Sequence, residues 1–178
     1  VVQNSRLVNV QSREVLENWQ IAVVRGRFAY VGPDARHCIG PKTQIIDAGG
    51  HYLIPGLCDG HMHIESGMLI PAEFAAAVIP YGTTTMFTDP HEIANVLGVE
   101  GITFMIKDAE QTPLKISFTA PSCVPATAFE YSGAELKSDD LALLAEKYKL
   151  AGLGEMMNFP GVLHGDEEVM KKSDNVMT

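Results

Sequence analysis

The sequence predicts an α/β protein in which a β-rich segment, residues 1–55, precedes about four βα units in residues 56–178. Two observations indicate this class. Short apolar runs separated by glycine turns dominate the first segment, and after Pro55-Gly56 apolar strand candidates alternate with longer helical stretches. Because strands that alternate with helices join through crossover connections, the second segment should contain a parallel sheet.

The first segment should form a small antiparallel sheet without chemistry of its own. A short strand is expected at residues 7–10. Residues 21–24 and 28–31 flank a glycine turn and predict a hairpin, and residues 43–46 and 51–54 predict a second one in the same way.

The second segment should form part of a (β/α)₈ barrel of the TIM type. Strands are expected at residues 57–64, 83–88, 115–119 and 151–156, and helices at residues 71–79, 93–110 and 139–149. In the last helix Leu141, Leu144 and Tyr148 follow helical spacing, and Ser138 or Asp139 stands where an N-cap belongs. A closed barrel of this type needs ~250 residues, so these units would make about half of one.

Composition excludes several classes of protein. The net charge of −9 argues against a nucleic-acid interface, which needs clustered Lys and Arg. The apolar runs are all shorter than the ~20 residues of a membrane span. The three cysteines include no CxxC pair, and the start shows no secretory signal, so a reducing cytoplasmic setting is expected. The missing initial Met and the polar end lead us to expect a piece of a longer protein.

The strongest chemical signal is His61-Met62-His63, at the end of the first predicted barrel strand. Side chains two apart in a strand point the same way, so both imidazoles should reach one point. Catalytic groups of barrel enzymes gather at the C-terminal ends of the strands. Two converging neutral imidazoles suit Zn²⁺, Fe²⁺ or Mn²⁺. An HxH pair by itself is weak evidence for a metal site, but Asp59 and Glu65 flank this one and strengthen the interpretation.

A second signal is Glu155, which lies between Gly154 and Met156 in the fourth predicted strand. A carboxylate in that position should enter the same cavity as the imidazoles. We expect it to be buried, and an unpaired buried carboxylate is costly, so it should face a cation or a hydrogen-bond donor. A structural ion pair is the alternative interpretation.

The third signal is Asp89-Pro90-His91-Glu92, which follows the second predicted strand. Pro90 cannot continue an interior strand, so these polar residues should lie on a βα loop at the active face. Asp89 and His91 could bind substrate, orient a metal ligand or hold an additional metal. Asp89 could instead cap the following helix. His164 follows the loop after Glu155 and could approach the same site.

Four stretches resemble the amidohydrolase superfamily, and within it the bacterial adenine deaminases. They are PGLCDGHMHIES at residues 55–66, GTTTMFTDPHEIANV at residues 82–96, APSCVPA at residues 120–126 and GLGEMMNFPGV at residues 152–162. The HxH pair alone would indicate only the superfamily. The DPHEIANV and GEMMNFPGV runs are more specific, and they separate the chain from dihydroorotases and hydantoinases.

The resemblance implies a β-sandwich, to which residues 1–55 contribute, beside a metal-bearing barrel. It implies hydrolysis of adenine to hypoxanthine and ammonia in purine salvage, with a binuclear Mn²⁺ or Fe²⁺ centre, Zn²⁺ being plausible. His61 and His63 would bind the more buried metal, and Glu155 would bridge the two metals and serve as the catalytic carboxylate. Further metal or substrate contacts are expected at four positions, namely Glu65, Asp89, His91 and Glu92.

Later strands of this family supply ligands that residues 1–178 lack, so we expect these residues alone to be inactive. We expect the full-length protein to form a homo-oligomer. No membrane or nucleic-acid partner is expected. Two alternatives stay open. The protein could be another cyclic-amidine or amide hydrolase of the superfamily, or a non-catalytic metal-binding subunit completed by a second chain.

Overall fold

The computed structural model describes residues 1–127 and 129–177 and has a mixed α/β architecture. Two compact units meet in sequence between Pro55 and Gly56. Within the described residues, no helix combines the length and apolar character needed to cross a membrane.

The first unit is a five-stranded sheet. Its strands are β1 (Val2–Asn9), β2 (Glu14–Val24), β3 (Arg27–Gly32), β4 (Ile46–Asp47) and β5 (Tyr52–Leu53). The order is β3-β2-β1-β4, and β5 also pairs with β1. The predicted hairpin of β2 and β3 is confirmed. Its turn places Arg25 and Gly26 at φ 51° and 72°, and two successive positive φ values match the twist of a tight hairpin.

The predicted second hairpin is wrong. β4 and β5 do not pair with each other, because each pairs in parallel with β1, at Val2↔Ile46 and at Arg6↔Tyr52. The amide of Ile46 donates to Val1 O at 2.8 Å, and the amide of Arg6 donates to His51 O at 3.0 Å. The edge of β1 therefore satisfies the backbone groups that a local hairpin would have paired.

The second unit is built on a three-stranded parallel sheet of order β6-β7-β8. Its strands are β6 (Leu57–Met62), β7 (Thr83–Thr88) and β8 (Lys115–Phe118), and its helices are α1 (Pro71–Val78), α2 (His91–Ala109), α3 (Ser138–Lys147), α4 (Phe159–His164) and α5 (Glu167–Met177). Helix α2 is broken at Gly98, whose backbone is not helical. The predicted helices correspond to α1, α2 and α3, but α3 begins after an N-cap at Lys137 rather than at Ser138 or Asp139.

The predicted fourth strand, residues 151–156, is wrong as a strand. In the described residues only an isolated parallel bridge joins Ala120 to Leu153. The amide of Ala120 donates to Gly152 O at 2.8 Å, and the amide of Gly154 donates to Ala120 O at 2.7 Å. Glycines weaken strands because they have no side chain to pack, so the two at positions 152 and 154 limit this segment to a bridge that keeps the parallel direction.

Helices α1 and α2 cover one face of the parallel sheet. Phe74 of α1 and Met105 of α2 pack in one core with Met86 and Phe118 of the strands. Phe87 points to the opposite face and is 36% exposed. A second core joins α2, α3 and the segment after β8, and its buried members are Ala94, Ile102, Ala120, Val124, Leu136, Leu141 and Leu144. Both cores hold the strand ends in fixed positions.

Candidate metal centre

The two imidazoles of the HxH pair meet at the end of β6. Met62 packs against the core between the sheet and α1 and α2, so the residues on either side of it project away from that core. The Nε2 atoms of His61 and His63 lie 2.9 Å apart. The backbone amide of His61 donates to Asp59 Oδ1 at 3.1 Å, which fixes the end of the strand.

The hydrogen bond of His63 defines which of its ring nitrogens is free. Its Nδ1 lies 2.9 Å from the backbone carbonyl oxygen of Asp89. Because a carbonyl can only accept, Nδ1 carries the proton in the neutral ring and Nε2 presents a lone pair toward His61. Metal-binding histidines almost always donate their other N–H in this way.

The carboxylate of Glu155 faces both imidazoles. Glu155 Oε1 lies 3.5 Å from His63 Nε2, and Glu155 Oε2 lies 3.8 Å from His61 Nε2. The expectation that this carboxylate is buried is wrong, since its side chain is 42% exposed. The reason is local: the chain leaves the bridge at Leu153 before it reaches Glu155, which places the carboxylate on the rim of a groove.

Asp89 holds the backbone of Glu155. Its side chain is only 2% exposed, and Oδ2 accepts the Glu155 amide at 3.0 Å. The suggested helix-capping role is wrong, because the N-cap of α2 is Pro90 and the Asp89 carboxylate accepts the Glu155 amide instead. This contact requires a glycine at position 154, since a Cβ there would lie 2.2 Å from Asp89 Oδ2. The other oxygen, Oδ1, is buried without a hydrogen-bond partner among the described residues.

His91 lies beside Asp89 and Glu155, in the first turn of α2. The prediction that His91 and Glu92 lie on a loop is wrong, because α2 begins at His91. The Nδ1 atom of His91 lies 3.6 Å from Asp89 Oδ2 and 3.9 Å from Glu155 Oε1. The Asp89 carboxylate beside the ring raises the pKa of His91, and the charge of Glu155 acts in the same direction.

Glu65 and Glu92 form hydrogen bonds in the loop beside the site and are not part of the cluster of imidazoles. Glu65 Oε1 accepts the amide of Ile93 at 3.3 Å, and burial raises the pKa of Glu65. Glu92 Oε1 accepts the hydroxyl of Ser66 at 2.5 Å. In the described part of the chain, neither glutamate belongs to a group of donor atoms that could share one ion. They connect the turn after β6 to the start of α2.

A groove of about 290 Å³ runs beside this cluster. Its walls come from the ends of β6 and β7 and from the segments after β8 and after the bridge at Leu153. The lining includes His61, Thr88, Asp89, Thr119 and Glu155. Functional groups of four chain segments therefore open onto one space at the carboxyl ends of the parallel strands, where ligands of such sheets bind.

The donor atoms form two overlapping groups that could each hold a metal ion. One group is His61, His63 and Glu155, and the other is Asp89, His91 and Glu155; within each group the atoms lie within 4.8 Å of one another. Two imidazoles and a carboxylate suit Zn²⁺, Fe²⁺ or Mn²⁺. The lone pair of His63 and the unpartnered oxygen of Asp89 both fit a cation at this place.

Comparison with known proteins identifies the family of the chain. The Amidohydrolase family model matches residues 52–176. The chain belongs to this amidohydrolase family. It is 59% identical over 171 residues to the adenine deaminase of Ruegeria sp. (strain TM1040). The aligned residues cover 96% of this chain and 28% of that protein. Adenine deaminase 1 of Jannaschia sp. (strain CCS1) is 55% identical, with coverage of 96% and 29%. The predicted resemblance is confirmed.

A solved structure shares the fold. Atrazine chlorohydrolase TrzN from Arthrobacter aurescens TC1, complexed with zinc, matches with a TM-score of 0.58 at 15% identity. The match covers 82% of this chain and 41% of that one. At this identity the likeness concerns the fold alone. The amidohydrolase chain spans about 28% of the length of the curated relatives that it matches.

Sequence reasoning missed Ser122, which contacts Glu155, and Lys172, which contacts Ser122. The hydroxyl of Ser122 donates to the carbonyl oxygen of Glu155, and the ammonium of Lys172 donates to Ser122 O at 3.1 Å. Lys172 follows Ser122 by 50 positions, and no local pattern connects the two. The buried Cys123 accepts the amide of Asn158 at 3.2 Å, and so it has a structural contact. His164 is exposed on α4 and belongs to neither donor group.

Proposed function

We propose that this chain supplies the first part of the active site of a metal-dependent deaminase that hydrolyses adenine to hypoxanthine and ammonia. The observation that carries the proposal is the meeting of His61, His63 and Glu155 at the ends of the parallel strands. Family membership and the identity of 59% to a protein named adenine deaminase support the reaction. Hydrolytic deamination of a ring amidine is chemistry that suits a metal-activated water.

The proposed metal ligands are His61, His63 and Glu155, with Mn²⁺ or Fe²⁺ as the ion and Zn²⁺ as the alternative. Glu155 would be the ligand shared with a second ion of a binuclear centre, and the other ligands of that ion are assigned to residues beyond these 178. A divalent metal supplies Lewis-acid activation of water at neutral pH. The protein's part is to orient the ligands, and the hydrogen bond from His63 Nδ1 to Asp89 O does this for one of them.

The remaining polar residues of the groove have separate proposed roles. Asp89 orients Glu155 through the amide of residue 155 and His63 through its own carbonyl. His91, whose ring lies 3.9 Å from the Glu155 carboxylate, is assigned to contact with the substrate. The Asp89 carboxylate raises the pKa of His91, which favours the protonated ring that a general acid needs.

The architectural proposal is that residues 56–178 form the first half of a (β/α)₈ barrel and residues 1–55 part of a β-sandwich. Three parallel strands and the bridge at Leu153 agree with four successive positions of a barrel. Because the chain spans about 28% of its relatives' length, the remaining ligands and the purine pocket are assigned to residues beyond these 178. We therefore propose that residues 1–178 are inactive by themselves.

The test is His61→Ala in the full-length protein that contains this chain. The variant should lose tightly bound metal and most ammonia release from adenine, because one of the two converging imidazoles is gone. His51→Ala, an exposed histidine of the first unit, is the matched control and should behave as wild type. Wild-type metal content and turnover in His61→Ala would refute the assignment. Guanine and hydantoin, assayed in parallel, identify a different substrate within the same family.

A further inference from the structure

The backbone of Glu155 is held from both sides by side chains that are not metal ligands in the proposed site. On one side its amide donates to Asp89 Oδ2 at 3.0 Å. On the other side its carbonyl accepts the hydroxyl of Ser122, which is 2% exposed. Because both peptide groups that flank the α-carbon are fixed, the side chain starts from a fixed position when it reaches toward His61 and His63.

The hydroxyl of Ser122 can donate only one hydrogen bond, and two acceptors lie beside it. Cys123 Sγ lies 3.2 Å away, and the carbonyl oxygen of Glu155 is closer. A carbonyl oxygen is also a stronger acceptor than sulfur, so the proton goes to Glu155. The adjoining backbone bonds, from Ala120 to Gly152 and from Gly154 to Ala120, keep the two segments side by side.

Lys172 of α5 holds Ser122 in turn. Its ammonium donates to Ser122 O at 3.1 Å, and the residue is only 8% exposed. An ammonium withdrawn from water needs acceptors to offset the loss of hydration, which makes this contact a strong constraint. Helix α5 is itself fastened to α3, since Glu168 Oε1 accepts the amide of Ser138 at 2.5 Å. The constraint therefore extends from the packed helices to the peptide at position 122.

We infer that Ser122 and Lys172 are positioning residues that aim the Glu155 carboxylate at the two imidazoles. The inference rests on the proposed function, in which Glu155 is a metal ligand. Partners that support metal ligands from outside typically change metal affinity by 10- to 100-fold. Since Ser122 acts through the backbone of Glu155, the lower figure of about 10-fold is expected.

The experiment is a Co²⁺ titration of the metal-free full-length protein, followed by visible absorption. Ser122→Ala and Lys172→Met should each bind Co²⁺ about 10-fold more weakly than wild type and show an altered ligand-field band. Ser122→Thr, which keeps the hydroxyl, should restore both properties. The control for serine is Ser5→Ala, which also removes a buried hydroxyl bonded to a carbonyl, that of Trp19. The control for lysine is its exposed neighbour, Lys171→Met.

The outcomes separate the two proposals. Co²⁺ affinity and spectrum unchanged in both Ser122→Ala and Lys172→Met overturn the positioning role alone. An equal loss in Ser5→Ala also overturns it, because the effect would then be general destabilisation. If Lys172→Met does not fold, Ser122→Ala decides. Wild-type protein that binds no Co²⁺ refutes the proposed metal site and this inference with it. Co²⁺ binding without release of ammonia from adenine refutes only the proposed reaction.

Discussion

Replacing Gly154 with alanine should weaken metal binding although it changes no ligand atom. A Cβ at position 154 would lie 2.2 Å from Asp89 Oδ2 and 2.6 Å from its Cγ. Non-bonded carbon atoms settle at about 3.5 Å, so either the buried carboxylate or the backbone at residues 154–155 must move by about 1 Å. A shift of this size breaks the bond from the Glu155 amide to Asp89.

The size of the effect follows from the bond that is lost. A hydrogen bond to a charged group contributes about 1.5–3 kcal/mol. Because 1.4 kcal/mol corresponds to a tenfold change in an equilibrium constant, the affinity for metal should fall by about 10- to 100-fold if Glu155 is no longer held in place. The estimate applies to the full-length protein, in which the proposed site is complete.

The assay is a Co²⁺ titration by visible absorption, with the thermal unfolding midpoint measured on the same samples. Gly40→Ala is the matched control, since the nearest atom to its new Cβ would be 3.9 Å away. The control should retain wild-type affinity. Full affinity in Gly154→Ala would refute the reasoning, because it would mean that the contact between Asp89 and the Glu155 amide does not position the carboxylate.

Three further predictions concern other parts of the chain. His91→Ala should keep its metal, measured by elemental analysis, but lose about 10²-fold or more of kcat/KM for adenine, because it removes the proposed acid and no ligand of the first donor group. A hydrogen bond from the Ser138 amide lowers the pKa of Glu168, so this contact stabilises the folded state above the ordinary pKa of glutamate and is lost as the pH falls through the lowered value. The protection factors of the α5 amides against hydrogen exchange, corrected for the intrinsic pH dependence of exchange, should fall on acidification, and Glu168→Gln should remove that fall. Purified residues 1–178 should release ammonia from adenine only at the background rate.

The HxH cluster could be predicted because its geometry is local. Two residues that flank Met62 in an extended segment must project to the same side, and the apolar run before them indicates the segment. These features depend on chain geometry over a few residues, and the sequence contains all of it.

The wrong expectations depend on distant partners. The runs at residues 43–46 and 51–54 have the pattern of a hairpin. Both pair instead with the edge of β1, some 40 residues earlier in the sequence. The exposure of Glu155 depends on where a glycine-containing segment leaves the sheet. The contact of Lys172 with Ser122 joins residues 50 positions apart. A signal for α5 was nevertheless present, since Asp166 precedes it and its Oδ1 accepts the amides of Glu168 and Val169.

Asp89 supports two proposed ligands through two different atoms, one in its main chain and one in its side chain. A substitution at this position can change only the side-chain atom. The bond to His63 uses a main-chain oxygen, which every amino acid supplies, whereas the bond to the Glu155 amide uses the carboxylate. Substitutions at position 89 should therefore adjust the glutamate while leaving the histidine tautomer intact. For an engineer who wishes to alter metal preference in this family, the position offers control of the oxygen donor separately from the nitrogen donor.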